Sequence, residues 1–169
     1  MTDNYYNDHL LAGNEYEDYV CTQLRKRYGI IIQIHSSKKY QNDIGESAGG
    51  FEIKFDDKVA TTNNLWIEVR EKSNPQIESY TPSGIMRSDN TWLYLIGNRE
   101  TLWVFSKRQL RLLYQNKKSW DRLGIREIEN NRKTSYGMLI PVKSAERWLC
   151  LNKFVLSEGK DDREQGKAC

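Results

Sequence analysis

Asn42-Asp43-Ile44 leads through Gly49-Gly50 into Phe51-Glu52-Ile53-Lys54-Phe55-Asp56, and the reading of the whole chain turns on this stretch. It reads as a turn opened by an acid, then two glycines, then a short strand. Side chains alternate between the faces of a strand, so Glu52 and Lys54 point the same way. Phe51, Ile53 and Phe55 supply the apolar contacts around them. A carboxylate and an ammonium then sit side by side, within reach of Asp43 across a tight turn. Two carboxylates beside a lysine suit a hard cation. The oxygens bind Mg²⁺, and the lysine orients or activates a water near a phosphate. An exposed strand with a same-face ion pair is the plainer alternative, because Glu-x-Lys recurs by chance in charged chains.

The set Asp43, then Glu52-Ile53-Lys54 starting nine positions later, resembles the signature of the PD-(D/E)XK nucleases, the restriction-endonuclease-like superfamily. Asn42 stands where the signature carries proline. The resemblance implies an α/β fold with a mixed β-sheet flanked by helices, and Mg²⁺-dependent hydrolysis of phosphodiester bonds, with Mn²⁺ as a substitute. It implies that Asp43, Glu52 and the Ile53 carbonyl hold the metal and that Lys54 positions water. Glu17 resembles the first-helix glutamate of many members and is assigned an outer or second-metal contact. An acid in a first helical turn also stabilises a helix with no catalytic role. Glu68 is a further candidate metal contact, with an ion pair to Lys54 or Arg70 as its alternative. A rival register pairs Glu52 with Glu68 and Arg70. It ranks second, because arginine stays protonated and activates water poorly.

The 169 residues suit one domain, expected over 1–156, with a polar tail over 157–169 expected to be disordered. No run of about 20 apolar residues is present, and Met1-Thr2-Asp3-Asn4 lacks the basic and apolar segments of a signal peptide. No membrane association is expected. Cys21, Cys150 and Cys169 are scattered and odd in number, which fits a reducing, cytoplasmic setting without a disulfide framework. His9 and His35 show no zinc-ligand spacing with them. The net charge of +3 is unevenly placed. Residues 1–20 carry five acids and no Lys or Arg. Residues 107–118 carry Lys107, Arg108, Arg111, Lys117 and Lys118 and no acid. Such a stripe attracts a phosphate backbone or is simply a solvated helix face.

In chain order, Asn14 reads as a helix N-cap and Gly29 as the stop of a helix over 14–28. Ile30 to His35 is β-branched and reads as a buried strand. Strands are expected at 51–55 and 65–72, and a hairpin over 91–105 turning at Gly97-Asn98. Ser106 reads as the cap of a helix over 107–116. Its Lys107, Arg108 and Arg111 are expected on the solvent side. Residues 73–90 read as a loop whose Tyr80, Arg87 and Ser88 could meet a substrate backbone. A late strand is expected at 136–142 and a last helix after Ser144.

The expected partner is nucleic acid, DNA in the first instance, and a domain this small leaves room for a homodimer. The alternative is a non-catalytic nucleic-acid- or protein-binding module that keeps the nuclease fold. A third reading is a partner-dependent subunit of a phage or restriction system.

Overall fold

A computed structural model describes residues 3–157 of the chain. Its helices and strands run α1 (Asp3–Tyr28), α2 (Lys38–Asp43), β1 (Phe51–Phe55), α3 (Val59–Thr62), β2 (Asn64–Glu71), β3 (Thr81–Pro82), β4 (Leu93–Gly97), β5 (Thr101–Ser106), α4 (Lys107–Gln115), α5 (Trp120–Leu123), β6 (Arg126–Glu129), β7 (Ser135–Pro141), α6 (Val142–Trp148) and β8 (Asn152–Val155). The fold is mixed α/β, but with two four-stranded sheets in place of one. The first has the order β1-β4-β5-β8 and the second β3-β2-β7-β6. Among the described residues only β1 and β4 pair in parallel, and the other strand pairings are antiparallel.

The strand periodicity decides what each face meets. On β4, Tyr94 and Ile96 pack with Ile67, Val69 and Met138 of the second sheet. Leu95 between them packs with Tyr16, Val20 and Leu24 of α1. On β5, Trp103 and Phe105 go one way, and Leu102 and Val104 the other. Both strands are therefore buried on two faces, which explains their nearly unbroken apolar sequences. Each fully buried aliphatic or aromatic side chain here contributes about 1.5–3 kcal/mol relative to exposure. α1 covers the outer face of the first sheet. The Tyr16 hydroxyl donates to the Asn98 carbonyl at 3.0 Å, and the Tyr19 hydroxyl to that of Arg99 at 2.8 Å.

Several expectations change. The first helix begins at Asp3, so Asn14 is interior and caps nothing. No Pro interrupts residues 3–13, and at Gly13 nothing lies within 4 Å of where a Cβ would stand. Ile30 to His35 forms no strand. It makes only the isolated bridge Ile34–Ser47, and Ile31 is exposed. Ile32 is nonetheless buried against α1, so the hydrophobic signal came from packing rather than sheet pairing. The Ser106 cap is present, its hydroxyl accepting the Gln109 N–H at 3.3 Å. The polar tail lies beyond the described residues except for Ser157, whose carbonyl accepts from Arg27 at 2.6 Å. Among the described residues, no helix is long and apolar enough to cross a membrane.

Candidate active site

β1 is an edge strand of its sheet, and its alternation builds the site. Phe51 and Ile53 face α1, where Tyr16 stacks on Phe55 with ring centres 4.6 Å apart. Glu52 and Lys54 face the other way. They lie beside Tyr94 and Ile96, their register partners, in the seam between the two sheets. The expected same-face pair is therefore formed, with Lys54 Nζ 3.2 Å from Glu52 Oε1.

Lys54 has a second carboxylate partner, and it is Glu46 rather than Asp43. Glu46 Oε2 also accepts the backbone N–H of Ile53 at 3.1 Å, so this acid caps the open edge of β1. Within a strand, the N–H and C=O of one residue point to the same edge. The Ile53 carbonyl therefore shares the edge that Glu46 occupies. Asp43 is exposed at the end of α2, and no described ion pair or hydrogen bond joins it to Glu52 or Lys54. The expected proximity of Asp43 to the lysine is replaced by that of Glu46.

The turn that carries Glu46 is fixed by backbone geometry. Gly45 has φ +138°, and a Cβ there would meet the Asn90 side-chain oxygen at 2.0 Å. Gly50 has φ +72°, and a Cβ there would meet the Trp92 ring at 2.5 Å and the Asn90 carbonyl at 2.7 Å. Only glycine allows both the left-handed backbone and the close approach. Ser47 is fully buried; its Oγ accepts the Phe51 N–H at 2.7 Å and donates to the Phe51 carbonyl at 2.9 Å. Asn90 ties the turn to the loop before β4. Its N–H donates to the Ile44 carbonyl at 2.8 Å, and its amide to the Ser47 carbonyl at 2.9 Å.

That loop brings charges the sequence did not reveal. Lys107 Nζ lies 2.6 Å from Asp89 Oδ1 and 3.6 Å from Glu52 Oε2. Arg87 Nε donates to Asp89 Oδ2 at 2.7 Å. The side chains of Glu52, Asp89 and Lys107 are at most 2% exposed, whereas Lys54 is 34% exposed and reaches solvent. Burial would raise the Asp89 carboxyl, but hydrogen bonds from Lys107 and Arg87 outweigh it and hold the pKa at about 2. Burial would depress the Lys54 ammonium, but Glu52 and Glu46 hold it well above the usual lysine range. Burial, reinforced by Glu52, pushes the Tyr94 phenol well up.

Glu52 stands out chemically. Neither carboxylate oxygen accepts a hydrogen bond, although both are buried. Buried carboxylates are normally satisfied. Lys54 Nζ lies 3.2 Å from Oε1 and Lys107 Nζ 3.6 Å from Oε2, and the charge of Glu52 also acts on Arg87 and Tyr94.

The remaining expected residues are placed as follows. Glu68 lies on β2 and accepts from the Ser83 hydroxyl at 2.7 Å. Burial raises its pKa, and the field of Lys54 acts in the opposite direction, so Glu68 is within electrostatic reach of the pair. Glu17 belongs to α1, on the opposite face of β1 from Glu52 and Lys54. The basic stripe is dismantled in large part. Lys107 is buried, and Lys117 pairs with Glu127 at 2.5 Å. Arg111 donates to the carbonyls of Ile85 and Arg87. Arg108 and Lys118 remain exposed. An apolar cavity of about 280 Å³, lined by residues including Leu24, Phe51, Trp92 and Leu95, lies on the α1 side and is separate from this cluster.

Among the described residues, no three His, Cys, Asp or Glu side chains converge as a metal-binding group. The donor set present is smaller: Glu46, Glu52 and the Ile53 carbonyl. Its orphaned Glu52 oxygens fit a hard cation. No family model, curated protein or solved structure matches this chain.

Proposed function

We propose that this protein is a Mg²⁺-dependent nuclease hydrolysing phosphodiester bonds, with DNA as substrate, on a variant of the PD-(D/E)XK site. The observation that carries the reading is Glu52: a buried carboxylate with two unsatisfied oxygens, set beside a solvent-reaching lysine and a second carboxylate. A purely structural ion pair in so buried a place would be completed by hydrogen bonds. A carboxylate left open in this way suits a partner that arrives from solution.

In this reading Glu46 and Glu52, with the Ile53 carbonyl, would hold the metal, and Glu46 would take the role that the resemblance gave Asp43. A bound Mg²⁺ would polarise the phosphate and bring water to it. Lys54 donates hydrogen bonds to the attacking water and to the phosphate oxygens, where charge develops. Ile53 fixes Glu46 through its N–H, and Lys107 Nζ stands 3.6 Å from Glu52 Oε2. Both acids are thus set before substrate arrives, which lowers the reorganisation the reaction requires. Glu68 stands outside the pair and shapes the field around Lys54. Glu17 has no part.

Duplex, branched and single-stranded DNA incubated with Mg²⁺ or Mn²⁺ tests this. Cleavage that a chelator stops is the expected result. Binding without cleavage of any of these substrates would favour the non-catalytic module.

A further inference from the structure

Glu52 presents its two oxygens to two different cations, and the two are not equivalent. Oε1 faces Lys54, whose side chain is 34% exposed and also bonded to Glu46. Oε2 faces Lys107, which is 2% exposed and anchored at 2.6 Å to Asp89. Lys107 is also held through its backbone, as the first residue of α4, with its N–H donating to the Trp92 carbonyl at 3.0 Å. Asp89 is held in turn by Arg87 and by the Thr91 N–H at 3.0 Å. In the bidentate bridging mode a carboxylate gives one oxygen to each of two metal ions. Here the second oxygen faces a buried ammonium whose departure would take one cation from two buried carboxylates, Glu52 and Asp89.

We propose that Lys107 permanently occupies the position of a second cation, so that the site takes one divalent ion and not two. This rests on the metal-dependent reading above. Charge supports it. Glu46, Glu52 and Asp89 are matched by Lys54, Lys107 and Arg87, three against three. One divalent ion leaves this cluster at +2, which attracts a polyanion. A second would raise it to +4 in a seam between packed sheets, where charge is costly. Lys107 does this from a residue whose ammonium converges on Glu52 Oε2 and Asp89 Oδ1. Removing that ammonium exposes two carboxylates to one point, which is a cation site in its own right.

Counting Mn²⁺ by electron paramagnetic resonance on the full chain tests the proposal independently of activity. The parent should bind one ion per chain, Lys107→Arg one, and Lys107→Ala two. Two ions on the parent, or one on a folded Lys107→Ala variant, overturns the proposal. If the alanine variant does not fold, the parent count decides alone. No ion on the parent sinks the metal-dependent reading itself, an outcome distinct from two.

Discussion

The backbone N–H of Ile53 donates to Glu46 Oε2 at 3.1 Å, which ties an acid from a glycine-flanked turn to the open edge of the strand bearing Glu52 and Lys54. This contact places Glu46, and not Asp43, beside the lysine. Glu46→Gln keeps the shape of the side chain and removes its charge. It should lower cleavage by about 100-fold or more, the scale for loss of one electrostatic contact in an active site. Asp43→Ala should cleave at the parent rate. Single-turnover assays of the two variants distinguish them, and the reverse order of effects would return the first acid to Asp43.

Asp89 links Lys107 to Arg87 with its carboxyl held at about pKa 2, against about 3.9 for an unfolded Asp. A depressed carboxyl stabilises the fold above its unfolded value, and that stabilisation is lost as the pH falls through the folded value. Denaturant unfolding should therefore show a loss between about pH 4 and pH 2. Asp89→Asn should cost roughly 3–5 kcal/mol at neutral pH, because Lys107 stays buried with less compensation, and should flatten that acid limb. An unchanged limb would show that the Lys107–Asp89 pair does not govern acid stability.

Glu68 is shifted in the opposite direction, its carboxyl raised by burial despite the Ser83 hydroxyl. A raised carboxyl favours the protonated form in the fold, so its contribution is present below the unfolded value and is lost as the pH rises through the folded one. Glu68→Gln should thus stabilise the protein at pH 7 relative to the parent, with the difference shrinking in acid. Thermal melts at pH 4 and pH 7 measure it, and a destabilised Gln variant at pH 7 would contradict the shift.

On α4, Arg108 is exposed while Arg111 is spent on the carbonyls of Ile85 and Arg87. Arg108→Ala should reduce the salt slope of nucleic-acid binding by about one unit, the effect of one lost phosphate contact. Arg111→Ala should lower stability instead. Binding titrations over a salt series check the first and thermal melts the second. An unchanged slope for Arg108→Ala removes α4 from the interface.

What was legible in the sequence was whatever depends on short-range periodicity. The alternation of Glu52, Ile53 and Lys54 put the pair on one face, and Leu65, Ile67 and Val69 announced the buried face of β2. Ser106 announced a helix start. Tertiary placement was not legible. Ile30 to Ile34 has strand composition but packs as extended chain, because Ile30, Ile32 and Ile34 meet the α1 cluster while the backbone bonds are scattered, the Ile30 N–H to the Leu24 carbonyl at 3.1 Å and the Gln33 carbonyl from the Ala48 N–H at 3.3 Å. Glu46 lies in a turn without period, and its position depends on Asn90 and the Ile53 amide. Lys107 looked like part of a solvated face, yet Asp89, in a loop eighteen residues earlier, draws it into the core. Asn152–Val155 is too short to announce itself as a strand and is fixed by pairing with β5.

Anomalous diffraction from crystals soaked in Mn²⁺ addresses the central claim most directly. The account predicts a peak bonded to carboxylate oxygens of both Glu46 and Glu52 at about 2.0–2.6 Å, the range for hard cations on oxygen, with Asp43 uninvolved and Lys107 still on Asp89. A peak on Asp43, or none at Glu46 and Glu52, would contradict it.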